Sequence, residues 1–165
     1  HGSNFLCYTS TDLTGIQIGG AVKNVIAIAT GIADGLGCGA NARAALVTRG
    51  LREITRLATA LGAQEETLTG LAGMGDLVLT CTDDQSRNRR FGLALGRGES
   101  AAAAKAAIGQ VVEGEGATHD TYALAQQHGI RMPITEHLHQ MLAGNRSLED
   151  TFTSLLNRQI KQERH

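Results

Sequence analysis

Lys23 stands in an apolar run, Gly19-Gly20-Ala21-Val22-Lys23-Asn24-Val25-Ile26-Ala27-Ile28-Ala29. Taking an ammonium out of water is costly unless a partner compensates it. A lysine in that setting fits general acid/base work, with the Asn24 amide beside it to orient a polar substrate. The bland alternative is a lysine whose stem lies on apolar surface while its head snorkels to water. Asp76, in Gly73-Met74-Gly75-Asp76, precedes the apolar Leu77-Val78-Leu79. Its carboxylate can pair with Lys23, or it can simply cap the helix that follows. A third constellation is Ser86-Arg87-Asn88-Arg89-Arg90. Arginine forks and a helix N-terminus suit a phosphate or carboxylate, although a solvated basic turn has the same composition. The acidic pair Asp83-Asp84 just upstream weakens a purely electrostatic argument for an anion there.

Other candidates are weaker. His137 and His139 are two residues apart and cannot share a helix face, so no metal site is assigned. His119 and His128 read as lone, exposed residues. Gly35-Leu36-Gly37-Cys38-Gly39-Ala40 looks like a dinucleotide fingerprint, but it follows a helix and lacks the third glycine. Glu113 reads as a cap, a ligand contact or neither.

The elements that must position these groups are helical. Thr9-Ser10-Thr11-Asp12 supplies N-cap chemistry for a long apolar helix from about Leu13 to Ala33, ended by the glycines after it. Asn41 is read as the cap of a second helix to about Leu61. Its apolar face holds Leu46, Gly50, Ile54 and Ala58, and Arg49, Arg52, Glu53 and Arg56 fall on the polar side. Gln64 to Leu68, Phe91 to Leu95, Ser100 to Ile108, Ala117 to His128, Ile134 to Leu142 and Leu148 to Leu156 follow as further helices. Pro133, the only proline, fits the first turn of its helix. The expectation is an all-α domain of roughly seven to nine helices. Asn4 to Thr9 reads as one short extended segment, and the polar tail from Asn157 to His165 as a fraying end.

Composition bounds the partners. The 165 residues carry 15 Lys plus Arg against 16 Asp plus Glu, so neither nucleic acid nor an anionic membrane is implied. Hydrophobic content of 42% with only 3% aromatics predicts a core of Ala, Leu, Ile and Val with closely approaching helices. Cys7, Cys38 and Cys81 are odd in number, which favours free thiols in a reducing, cytoplasmic compartment. No apolar stretch is expected to reach the roughly 20 residues that span a bilayer, and no signal peptide is visible.

Gly19-Gly20-Ala21-Val22-Lys23-Asn24, Gly39-Ala40-Asn41-Ala42-Arg43, Thr48-Arg49-Gly50, Gly73-Met74-Gly75-Asp76-Leu77 and Ser86-Arg87-Asn88-Arg89 occur in that order. In this the chain closely resembles the C-terminal, substrate-binding domain of bacterial NAD(P)-dependent glycerol-3-phosphate dehydrogenases, from about Tyr8 to near its end. The resemblance implies a helical domain similar to that of 6-phosphogluconate dehydrogenase and a partner Rossmann domain. Residues 1–12 would then be a tag remnant, His1-Gly2-Ser3, and the end of that missing domain, and residues 13–165 the substrate-binding and catalytic domain.

The implied reaction interconverts dihydroxyacetone phosphate and sn-glycerol 3-phosphate with NAD or NADP and supplies phospholipid synthesis. The resemblance makes Lys23 the catalytic lysine with Asp76 as its partner. It puts Asn24, Asp76, Thr80, Ser86, Arg87 and Asn88 around the substrate, and Arg87, Val111 and Glu113 toward the cofactor. It implies an enzyme inactive without its nucleotide domain, and leaves a homodimer open. A related dehydrogenase acting on another phosphorylated or hydroxy-acid substrate, and a non-enzymatic helical module, are the alternatives.

Overall fold

The computed structural model describes residues 9–156. Among them are nine α-helices, one π-helical turn and no strand. The extended segment expected from Asn4 falls almost wholly outside these residues, as does the tail after Leu156.

Helix α1 (Leu13–Gly35) is the axis of the domain. The Asp12 carboxylate caps it, accepting from the Gly15 N–H at 2.8 Å and from the Gln64 N–H at 2.9 Å. Those backbone donors, Gly15 first, and the Thr67 hydroxyl hold the Asp12 carboxyl below the usual carboxylate range. Every residue from Val25 to Ala33 is buried. This helix is long and apolar enough to cross a membrane, contrary to the expectation that no stretch is. Within the domain, however, 67% of its most apolar window is buried, which is how a central core helix behaves.

Helices α2 (Gly39–Ala60), α3 (Glu65–Thr69), α4 (Asp76–Thr82), α5 (Arg87–Gly96), α6 (Ala101–Ile108), α7 (Glu113–Gln127), α8 (Pro133–Leu142) and α9 (Leu148–Leu156) complete the domain. Of these, α5, α2, α4 and α7 pack most extensively on α1, and α3 and α8 also touch it. The closest approach is α1 on α5. A Cβ on Gly31 would lie 2.2 Å from the Arg89 carbonyl oxygen, and one on Gly92 would lie 2.1 Å from that of Ile28. Only glycine lets the two backbones meet this way, and the spacing repeats at Gly35 and Gly96.

Several boundaries differ from the sequence reading. Helix α2 starts at Gly39, so Asn41 lies in its first turn and is not its cap. Helix α5 starts at Arg87, capped by Ser86 Oγ accepting from the Arg89 N–H at 3.2 Å. Helix α7 starts at Glu113, earlier than Ala117. The Gly35–Gly39 stretch is the α1–α2 connection, with Gly37 and Gly39 at positive φ. It is no nucleotide loop.

Glu53 is the largest revision. Read as a polar-face residue, it is only 4% exposed. Its carboxylate receives the Ile134 N–H at 2.7 Å and, at 3.3 Å, the Thr135 N–H and hydroxyl, so α2 caps α8 from across the core. Burial pushes the Glu53 carboxyl up to about 7, against those hydrogen bonds and Arg56.

Candidate active site

The start of α4 is built by a π-helical turn, Leu71–Gly75, in which the Gly75 N–H reaches back five residues to the Gly70 carbonyl at 3.2 Å. Gly73 is obligatory there, because a Cβ would sit 2.1 Å from the Leu68 carbonyl oxygen. Such wide turns recur at functional sites. Here the turn delivers Asp76 as the first residue of α4, facing α1. Asp76 is therefore not an N-cap: Gly75 occupies that position, without a side-chain bond. The Asp76 carboxylate instead accepts from Lys23 Nζ. The Thr80 hydroxyl donates to the Asp76 carbonyl at 2.7 Å and lies 3.4 Å from Asp76 Oδ1.

Lys23 is less enclosed than its apolar neighbours suggested. Its side chain keeps 23% exposure and that of Asp76 36%. The lysine lies on the edge of α1 that opens to a cavity of about 480 Å³. Gly20, Lys23 and Asn24 form one wall, and Leu79, Thr80, Asp83, Gln85 and Ser86 another. Arg87, Asn88 and Glu113 close it.

One buried amide joins three elements at the cavity floor. Asn88 Nδ2 donates to Asn24 Oδ1 at 2.9 Å, and Asn88 Oδ1 accepts from the Gly114 N–H at 2.8 Å. These partners fix which end of the Asn88 amide faces α1. Asn24 is thereby oriented with its Nδ2 toward the Gly20 carbonyl, 3.4 Å away. The Ser86 hydroxyl, accepting from the Arg89 N–H, still has its proton to donate into the cavity. Arg87 is loosely held at the rim, 3.4 Å from Gln110 Oε1 and 3.6 Å from a Glu113 carboxylate oxygen.

Of the nine residues singled out, Lys23, Asn24, Thr80, Ser86, Arg87, Asn88 and Glu113 line one cavity, and Asp76 joins them through Lys23. Val111 does not line it. It stands 74% exposed in the segment leading into α7. Arg89 and Arg90 leave the expected anion cradle: Arg89 is buried in ion pairs with Asp34 and Asp84, and Arg90 is exposed outside the lining. The basic Ser86–Arg90 run thus offers one guanidinium, Arg87, to the cavity. Asp83 and Glu113 balance part of the charge of Lys23 and Arg87.

The remaining candidates lie elsewhere. His119 is not alone: its ring is 5.7 Å from that of His139, which stacks on Tyr122 at 4.2 Å. Among the described residues no group of three His, Cys, Asp or Glu could hold a metal. Burial pushes the Cys81 thiol up to about 12, so it is no nucleophile at neutral pH.

The sequence model of the family described as NAD-dependent glycerol-3-phosphate dehydrogenase C-terminus matches residues 12–153. A glycerol-3-phosphate dehydrogenase [NAD(P)+] of Haemophilus ducreyi is 62% identical, over 96% of this chain and 47% of that protein. One of Pseudoalteromonas translucida is 59% identical, over 98% of this chain and 48% of that protein. The crystal structure of glycerol-3-phosphate dehydrogenase from Coxiella burnetii superposes with a TM-score of 0.93 at 54% identity, covering 96% of this chain and 49% of that one. A Dunaliella salina structure at 20% identity shares the fold, with a TM-score of 0.82 over 93% of this chain and 28% of that one. The chain spans about half the length of the curated relatives it matches.

Proposed function

The chain belongs to the C-terminal family of NAD-dependent glycerol-3-phosphate dehydrogenases, and from that premise we propose that it forms the substrate-binding half of an enzyme interconverting dihydroxyacetone phosphate and sn-glycerol 3-phosphate. Residues 13–165 are the catalytic, substrate-binding domain in this reading. The observation that carries it is Lys23 Nζ, held by the Asp76 carboxylate at one wall of a cavity whose far edge presents Ser86, Arg87 and Asn88. One cation is placed for a carbonyl oxygen and a second for a phosphate.

NADH or NADPH would supply the hydride to the carbonyl carbon, and NAD or NADP would accept it in the reverse direction. Arg87 and Glu113, at the open rim, fit a cofactor that approaches from outside the domain, and Val111, exposed beyond the lining two residues before Glu113, would meet it only outside the cavity. Lys23 donates its proton to the substrate carbonyl oxygen as negative charge develops there, and takes the hydroxyl proton in the reverse direction. Its positive charge also stabilises the developing alkoxide. Asp76 holds the ammonium in place, and Thr80 in turn braces Asp76. Asn24, oriented by Asn88, is set to hydrogen-bond a substrate hydroxyl. Arg87, only weakly engaged by Glu113, is free to transfer its fork to the phosphate, with the Ser86 hydroxyl beside it.

The product is the phosphorylated glycerol backbone of phospholipids, so we place the enzyme at the supply of phospholipid synthesis, in the cytoplasm. A homodimer is compatible with the apolar residues left exposed, Leu13, Leu71 and Leu79 among them. The test is the full-length protein with dihydroxyacetone phosphate and NADPH. Loss of NADPH absorbance is expected, and its absence with a correctly folded protein overturns the reading. The 165 residues alone are expected to give no turnover, because the nucleotide-binding half of the relatives is not matched by this chain.

A further inference from the structure

Arg89 carries a full charge yet its side chain is only 9% exposed. A buried guanidinium must have each donor met, and this one has three separate acceptors. Its Nε donates to the Cys81 carbonyl in the last turn of α4 at 3.1 Å. One Nη donates to Asp34 in α1 at 2.7 Å, and the other to the Asp84 carboxylate in the loop between α4 and α5. Asp34 is shared with Arg43 of α2 at 2.8 Å, so two carboxylates offset two guanidinium groups. All three side-chain nitrogens of Arg89 are engaged within the domain, and it lies outside the cavity lining.

The loop it grips is the wall of the cavity that contributes Asp83, Gln85 and Ser86. Its backbone is tied at its two ends: the Asp83 N–H donates to the Leu79 carbonyl of α4, and the Arg90 N–H of α5 donates to the Ser86 carbonyl, both at 3.0 Å. The bonds from the Ser86 N–H to the Asp83 carbonyl at 3.1 Å and from the Gln85 N–H to Asp83 Oδ1 at 2.7 Å stay within the loop. Ser86 Oγ adds one tie, to the backbone of Arg89. Among the described residues, the side-chain hydrogen bonds and ion pairs that leave Asp83–Ser86 both end on residue 89, one on its backbone N–H and one on its guanidinium. Arg87 and Asn88 follow directly on this loop at the start of α5.

We propose that Arg89 is a positioning residue for the phosphate-holding edge of the site. It ties loop 83–86 to α4 and α1 and so sets where the Ser86 hydroxyl and the Arg87 fork stand relative to Lys23. The inference rests on the reading that Ser86 and Arg87 receive the substrate phosphate. Misplacing a substrate-holding group by about 1 Å costs roughly 10²-fold in rate or binding.

The test uses the full-length enzyme, with dihydroxyacetone phosphate and NADPH varied separately. Arg89→Gln removes the fork, and Asp84→Ala removes only the loop's acceptor. Because the Asp84 side chain is 79% exposed, that second variant is expected to fold normally. Arg89→Gln should raise KM for dihydroxyacetone phosphate roughly 10²-fold, and Asp84→Ala should raise it in the same direction by a smaller factor. Neither should change KM for NADPH more than about twofold, and kcat at saturating substrate should be largely kept. A merely structural Arg89 lowers Tm and moves both KM values together, or neither. Asp84→Ala with a wild-type KM for dihydroxyacetone phosphate overturns the inference, whether or not Arg89→Gln folds. A wild-type enzyme with no turnover of dihydroxyacetone phosphate sinks the functional reading, and this inference with it.

Discussion

Lys23 and Asp76, 53 residues apart in the chain, meet as an ion pair between α1 and the first residue of α4. Both side chains remain partly exposed, so the pair adds only about 1 kcal/mol or less to stability. Its importance is placement. Lys23→Ala in the full-length enzyme should therefore leave Tm nearly unchanged while kcat falls roughly 10²- to 10⁴-fold. Parallel thermal melts and NADPH-coupled kinetics check this. Retained turnover in a folded Lys23→Ala protein would return the lysine to its bland, snorkelling role.

Asn88 should behave differently, because it is 7% exposed and both ends of its amide are occupied. Asn88→Ala leaves the buried Gly114 N–H without its acceptor and frees Asn24 to rotate. An unsatisfied buried donor costs about 1–3 kcal/mol. Urea denaturation should show that loss, together with a rise in KM from the unfixed Asn24. A loss of activity at unchanged stability would mean that Asn88 acts on substrate alone.

The contrast between Lys23 and Glu53 shows what was legible in the sequence. Lys23 and Asp76 are visible because each sets a charged side chain in an apolar run or beside glycines, Ser86–Asn88 because a polar loop with arginines enters a helix, and the order of motifs ties them together. The helix periodicity gave nearly every element. Glu53 was assigned to the wrong face because spacing along α2 cannot reveal that the N-terminus of α8, about eighty residues later, needs an acceptor. Arg89 was read with its neighbours as a cradle for anions, since the acceptors that bury it lie on three different elements. Val111 came only from the resemblance, and the cavity does not include it. The glycines of α1 and α5 carry a signal, a spacing of four in both Gly31/Gly35 and Gly92/Gly96, but spacing alone does not say which two helices meet.

That pairing is testable. Gly92→Ala puts a methyl 2.1 Å from a backbone oxygen of α1, and backbone cannot move aside as a side chain can. Overpacking of this kind costs about 1–3 kcal/mol or more. Gly116→Ala is the control. It lies in α7, is exposed, and meets nothing within 4 Å. Helix propensity alone should make it more stable by about 0.5–1 kcal/mol. Opposite signs of the two Tm shifts are expected. A neutral Gly92→Ala would mean that α1 and α5 are not in such close contact.

Glu53 predicts a pH dependence of stability. Burial raises its folded pKa from 4.5 to about 7. Below pH 4.5 both folded and unfolded chains hold the proton, and its contribution is fully present. Between 4.5 and 7 the unfolded chain releases the proton while the folded one keeps it, so stability falls as pH rises. Above about 7 both are ionised and the loss is complete, on the order of 3 kcal/mol. Glu53→Gln cannot titrate. It retains an oxygen for the Ile134 N–H but turns an amide NH₂ toward Thr135 unless the side chain rearranges. The difference in unfolding free energy between wild type and Glu53→Gln should therefore shift in favour of the variant from pH 4.5 to pH 8, measured by denaturant titration at each pH. A pH-independent difference would mean that the α8 N–H donors, not burial, dominate, holding the Glu53 carboxylate ionised across the whole range.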